Sequence, residues 1–261
     1  MDWIETEGGP LRVEVTSEGP GVPLLLVHGG GGDRSHWARL LPLLEGRRLV
    51  TYDQRGYGES PARKNGKDSL AAMGADAVAV ADAHRLERPV LVGHSFGGSV
   101  VAAALAARPD RFGGAVFLDA AGDLRGLGHQ AVEEWRQDMV PEKFRASSRA
   151  WFERALTGAR PDTRVHVLAT LGLTPRESYV AGMEMLLDFD PATAIRKFTG
   201  PRLLVTVRGM DGPMGLRAAV PDLPNQFVDE SSHWLHLDQP EEVAEILGAF
   251  LAAVDRGRKR S

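Results

Sequence analysis

Ser95 stands at the centre of Gly93-His94-Ser95-Phe96-Gly97. It follows the apolar run Val90-Leu91-Val92 and precedes Ser99 to Ala107, a stretch rich in alanine and valine. A short buried strand that passes through G-x-S-x-G straight into a helix holds its serine at the tip of a tight bend. The hydroxyl then points clear of the sheet, at the positive end of the helix. Glycine suits positions 93 and 97 because larger side chains there would strike neighbouring backbone. The chemistry on offer is nucleophilic attack by a hydroxyl, which needs a base to take its proton and donors to hold the negative oxygen that develops. The Phe96 N–H, at the start of the helix, supplies one donor. The plain alternative is a glycine-rich packing turn with an N-cap serine, and the strand–turn–helix context weighs against it.

Three further stretches extend this pattern. Val22 to Val27 ends in His28-Gly29-Gly30-Gly31-Gly32. Asp53-Gln54-Arg55-Gly56-Tyr57-Gly58-Glu59-Ser60 has the form D-x-R-G-x-G-x-S. Ser231-Ser232-His233-Trp234-Leu235-His236-Leu237-Asp238-Gln239-Pro240-Glu241 gives a small residue, a histidine, an aromatic and then H-L-x-x-P-E. With the serine bend, these residues resemble the α/β-hydrolase superfamily from about Leu11 to Val254. The resemblance implies that His233 is the general base and acid. It also implies that the Gly30 N–H is the second oxyanion donor and that His28 supports the loop carrying it. Asp211 follows a strand at the family's usual acid position, although Gly209-Met210-Asp211 is one residue shorter than the usual Gly-x-x-Asp. Asp119, at the end of the strand after the serine bend, is the alternative acid. Asp211 is the favoured of the two.

Other readings of these motifs are weaker. Four glycines in a row would suit a phosphate, but no Gly-Lys-Ser/Thr follows. His233 and His236 have the H-x-x-H spacing without a third ligand, so no metal is expected and His236 is read as structural. The D-x-R-G-x-G-x-S segment is read as a locally hydrogen-bonded bend. Trp37, Trp135, Trp151, Phe152 and Trp234 are candidates to line a substrate pocket, against the reading that they pack the fold. Arg125, His129 and Arg136 are candidates to meet a carboxylate.

The elements that must position these residues follow from hydrophobic periodicity. Strands are expected over 11–16, 22–27, 47–52, 90–92, 113–118, 200–207 and 226–228, several of them apolar without alternation, as strands covered on both faces are. Helices are expected over 33–44, 68–86, 99–107 and 240–254. Such alternation gives an α/β fold class, a doubly wound and mostly parallel sheet, with ligands bound beyond the carboxyl ends of the strands. Residues 122–190 lose strand signals and carry aromatics and methionines at helical spacing. They are read as a helical cap, which the resemblance also implies, inserted into a core of 1–121 and 191–261.

Composition narrows the function further. A chain of 261 residues with 43% hydrophobic content can bury a core of one α/β domain with an insertion. A net charge of -4 gives no reason to expect nucleic acid or an anionic membrane as partner. With no cysteine, thiol nucleophiles and thiolate metal sites are excluded. The acidic N-terminus lacks a signal-peptide pattern, so a cytoplasmic location is expected. The expected activity is that of a serine hydrolase needing no cofactor. Its substrate would be a small carboxylic ester, a lactone or an activated C–C bond, cleaved through an acyl-enzyme. The alternatives are perhydrolysis, elimination or cofactor-free oxygen chemistry on the same fold, or a ligand sensor with slow hydrolysis. The sequence leaves the oligomeric state open.

Overall fold

The computed structural model describes residues 2–63, 68–210 and 212–258. The chain opens with β1 (Asp2–Thr6) and β2 (Gly9–Val27), antiparallel neighbours with Trp3 opposite Arg12. β2 bends near residues 19–21, so the two strands expected over 11–16 and 22–27 form one continuous element. Both of its halves flank β3 (Arg47–Tyr52). Partner numbers in β3 fall along Val13 to Ser17 and rise along Leu24 to Val27, which makes the second half parallel to β3. Parallel pairing continues through β4 (Val90–His94), β5 (Gly114–Leu118), β6 (Arg202–Thr206) and β7 (Asn225–Phe227).

Alternation along these strands feeds two cores, one on each face. Leu25, Val27, Leu91, Phe117 and Leu204 pack on α1 (Leu70–Ala83) and α2 (Phe96–Ala107). Leu24, Leu26, Val92, Val116 and Val205 face the other way, onto Trp37, Leu40 and the closing helix, residues 240–258. Each inner strand is therefore buried on both sides, the condition under which apolar runs replace alternation in sequence. The expected helix over 33–44 is two 3₁₀ turns, Arg34–Trp37 and Leu41–Leu44. Pro42 stands early in the second turn, and its missing N–H prevents one helix from running through both. β1 is an element that the sequence reading did not include.

Between β5 and β6 lie α3 (His129–Asp138), α4 (Pro141–Ala155), α5 (Pro161–Leu173), α6 (Arg176–Leu187) and the short α7 (Pro191–Arg196). The first four fall within the stretch expected to be helical. They share a core of Phe144, Phe152, Leu156, Val167 and Tyr179 with Trp234 and Leu237 from the far end of the chain. After β6 come α8 (Leu216–Ala219), β7, α9 (Leu235–Asp238) and α10 (Pro240–Arg258). Among the described residues no helix is long and apolar enough to cross a membrane, and no cluster of three ligating side chains could hold a metal ion.

Candidate active site

The bend between β4 and α2 explains its own glycines. A Cβ at Gly93 would lie 2.5 Å from the Gly97 carbonyl oxygen, and one at Gly97 would lie 2.2 Å from that of Val27. Ser95 is held at φ 51° and ψ -120°, a backbone state costly for a residue with a side chain. Backbone bonds fix it there. Its N–H donates to Leu118 at 3.0 Å, and its carbonyl accepts from Gly98 at 2.9 Å and Ala121 at 3.3 Å. Strain at the tip is thus balanced by the sheet on one side and the helix start on the other.

Beside the serine lies a cavity of about 300 Å³ at the carboxyl ends of β4, β5 and β6. Ser95, Phe96, Gly30, Asp119 and His233 all line it. His233 is buried, and its Nδ1 donates to Asp119 Oδ2 at 2.5 Å. The other Asp119 oxygen accepts from Thr206 Oγ1 and, at 3.4 Å, from the Val207 N–H. Asp119 itself takes a positive φ of 41°, fixed by its N–H donating to Val205 at 2.7 Å. A carboxylate so placed holds the Nδ1–H tautomer and leaves Nε2 to accept a proton. The acid that the described residues bring to His233 is Asp119; Asp211 lies outside them. Thr206 was not singled out in the sequence. A polar residue closing an apolar strand was the available signal, since strand ends border ligand sites in such sheets.

The loop bearing His233 is fixed from several directions. Its N–H donates to Ala155, at the end of α4, at 3.1 Å. Its carbonyl accepts from His94 Nε2 at 3.0 Å. The buried Asp238 carboxylate accepts from the Ser232 N–H and from the Arg160 N–H beyond α4, each at 2.9 Å. Burial pushes His94 and His236 well below the usual imidazole range, so both remain neutral supports. On the opposite wall, His28 Nε2 accepts from the Gln54 N–H at 3.0 Å and Nδ1 donates to Gly29 at 2.8 Å. This pins the Gly30 loop to the end of β3. Burial lowers the His28 pKa as well, which keeps Nε2 free to accept. Asp53 accepts from the Arg34 and Glu59 N–H groups, each at 2.9 Å, and Arg55 forms a buried pair with Asp76. That segment shapes the bend after β3.

The aromatic candidates separate into two groups. Trp151 and Phe152 line the cavity, together with Leu124, Tyr179, Met183, Leu186, Leu204 and Leu216. Trp37 does not; it is fully buried below the site, its ring 4.6 Å from that of His236. Trp234 is also buried away from the cavity, packed between Phe152 and His233. Trp135 packs on the core of the inserted helices. For these three the packing reading holds: their large apolar area is spent on the core. Arg125 pairs with Asp123 and Asp190, and Arg136 with Glu184; both lie outside the cavity lining, as does His129.

A doubly wound sheet thus carries a strained serine and a carboxylate-bound histidine on one largely apolar cavity. The family model described as alpha/beta hydrolase fold matches residues 22–205, and the chain belongs to that family. It is 30% identical over 265 residues to the "Putative carbamate hydrolase RutD" of Caulobacter vibrioides, covering 95% of this chain and 94% of that one. It is 28% identical over 263 residues to the pyrrolizixenacetamide deacetylase of Xenorhabdus hominickii, covering 95% and 97%. Among solved structures, "a putative aryl esterase from Burkholderia cenocepacia" superposes with a TM-score of 0.82 at 25% identity, over 97% of this chain and 98% of that one.

Proposed function

We propose that this protein is a serine hydrolase that cleaves small, largely apolar carboxylic esters, or a related carbonyl compound, through an acyl-enzyme. The observation that carries the reading is the convergence of Ser95, the His233–Asp119 pair and the Gly30 and Phe96 backbones on one apolar cavity. In this scheme Ser95 Oγ attacks the carbonyl carbon while His233 Nε2 takes its proton, and Asp119 stabilises the imidazolium. The tetrahedral oxyanion accepts from the Phe96 and Gly30 N–H groups. Phe96 is the first residue of α2, where no intrahelical acceptor exists. Collapse breaks the bond to the leaving group, which receives the proton from His233. Water, activated by the same imidazole, then attacks the acyl carbon and frees Ser95. The reaction calls for no cofactor.

The relatives' names support this chemistry at the level of bond type. A carbamate, an acetamide and an aryl ester share a carbonyl carbon bonded to nitrogen or oxygen, which is the centre such a site attacks. The test is labelling with a fluorophosphonate, followed by assay on a short-chain aryl ester. Wild type is expected to be labelled at Ser95. The Ser95→Ala protein is expected to lose label and about 10⁴-fold or more of kcat/KM. Labelling elsewhere, or activity retained without the Ser95 hydroxyl, would overturn the acyl-enzyme and leave the histidine–aspartate pair to act alone.

A further inference from the structure

Tyr179 projects from α6 into the cavity wall, and its side chain is 95% buried. Its ring packs on Phe144 at 5.6 Å and on Phe152 at 6.1 Å. Phenylalanine would satisfy those contacts, so the hydroxyl needs a separate account. The neighbouring Tyr57 provides the contrast: it is also buried, and its hydroxyl donates to the Ser178 carbonyl at 3.1 Å. The Tyr179 hydroxyl has no hydrogen-bond partner among the described residues. Unlike the unpaired Tyr52 hydroxyl it is not sealed in, so it opens onto space in which an acceptor on a bound molecule can take the place of water. Burial alone pushes its ionisation upward, so the phenol stays protonated and can donate. Much of the cavity lining, with Leu124, Met183, Leu186 and Phe152, is apolar.

We infer that Tyr179 is a specificity-determining residue whose hydroxyl donates to an acceptor oxygen on the body of the substrate, away from the carbonyl that is attacked. The inference rests on the hydrolase reading above and narrows its substrate class. The preferred ester is apolar in most of its surface and carries one neutral acceptor, such as a ketone or ether oxygen. An all-hydrocarbon ester fills the same space and leaves the phenol unpaired, which is the situation in which a polar site discriminates between near-isosteres.

The experiment compares matched substrates. On the acyl side, 4-nitrophenyl 4-oxopentanoate is set against 4-nitrophenyl pentanoate. On the leaving-group side, 4-acetylphenyl butanoate is set against 4-ethylphenyl butanoate. For each pair the ratio of kcat/KM, oxo compound over hydrocarbon, is measured in wild type and in Tyr179→Phe, which keeps the ring contacts. The ratio is expected to fall about tenfold in the variant for one pair, which also identifies the side of the ester that Tyr179 meets. A ratio unmoved in both pairs overturns the inference, even if the variant is slower on every substrate, because packing damage lowers both members alike. Calorimetric binding of 4-phenylbutan-2-one, which has no bond to hydrolyse, separates this result from the hydrolase reading. Its affinity is expected to drop about tenfold in Tyr179→Phe, whatever Ser95→Ala does to catalysis; equal affinities count against the inference.

Discussion

Asp119 carries two jobs on one carboxylate: Oδ2 receives His233 Nδ1–H, while Oδ1 is held by Thr206 and Val207 at the end of β6. Asparagine at 119 presents an amide N–H₂ to one side or the other and favours the wrong imidazole tautomer. Asp119→Asn is expected to lower kcat/KM on an aryl ester by about 10³- to 10⁴-fold with little change in thermal midpoint. Asp211→Asn is expected to stay within a few-fold of wild type. Activity lost at 211 and kept at 119 would reverse the assignment. Sequence placed both aspartates at strand ends and ranked Asp211 first on loop position. It gave no measure of which carboxylate lies at the depth of an imidazole contributed 114 positions later. Ser95, Phe96, Gly30 and His233 could be singled out in sequence because each lies in a local motif, and all four line the cavity. Tyr179 belongs to no motif, and only the packing of α6 turns it into the cavity.

At the scale of elements, the serine bend packs backbone against backbone. Gly97→Ala forces a methyl group to within 2.4 Å of both the Val27 and His28 carbonyl oxygens, consecutive backbone groups at and just past the end of β2 that cannot yield separately. A loss of more than about 3 kcal/mol is expected, read as a fall in urea midpoint or as failure to recover soluble protein. Gly248→Ala makes the opposite case. It lies within α10, and a Cβ there meets nothing within 4 Å. A gain of about 0.5–1 kcal/mol is expected from helix propensity and reduced freedom of the unfolded chain. A Gly97→Ala protein as stable as wild type would overturn the steric account of that position. The inner strands were readable as apolar runs because both their faces are covered. β1 was not, since it is a half-exposed edge strand whose order comes from pairing with β2.

For the whole molecule, the histidines set a limit on acid stability. His36, His94 and His236 are fully buried, and burial holds each well below the usual value of 6.5. In the unfolded chain each takes up a proton as pH falls through about 6.5, while the folded protein leaves it neutral. Acid therefore favours unfolding, and stability is present above that pH and is lost below it. Between pH 6.5 and 5.5 the loss is about 1 kcal/mol per histidine, about 3 kcal/mol for the three. Urea denaturation at pH 7.5, 6.5 and 5.5 should show a midpoint that falls over both intervals, about three times as far over the second as over the first. A level midpoint throughout would mean that these imidazoles are hydrated or charged in the native state. None of this was visible in sequence, where a histidine in a glycine loop or a closing motif carries no sign of its depth.

Two of the ties between the inserted helices and the rest of the fold reach the site itself. His36 donates to Thr170 of α5 at 2.8 Å, three residues after Asp33 and beside the Gly30 loop, and His233 and Asp238 are tied to the chain just past α4. Those segments carry Gly30 and His233, the proposed oxyanion donor and the proposed base. Excising 122–190 would thus uncover the pocket and at the same time untether both walls of the reaction centre, so a truncated enzyme would be misaligned as well as open.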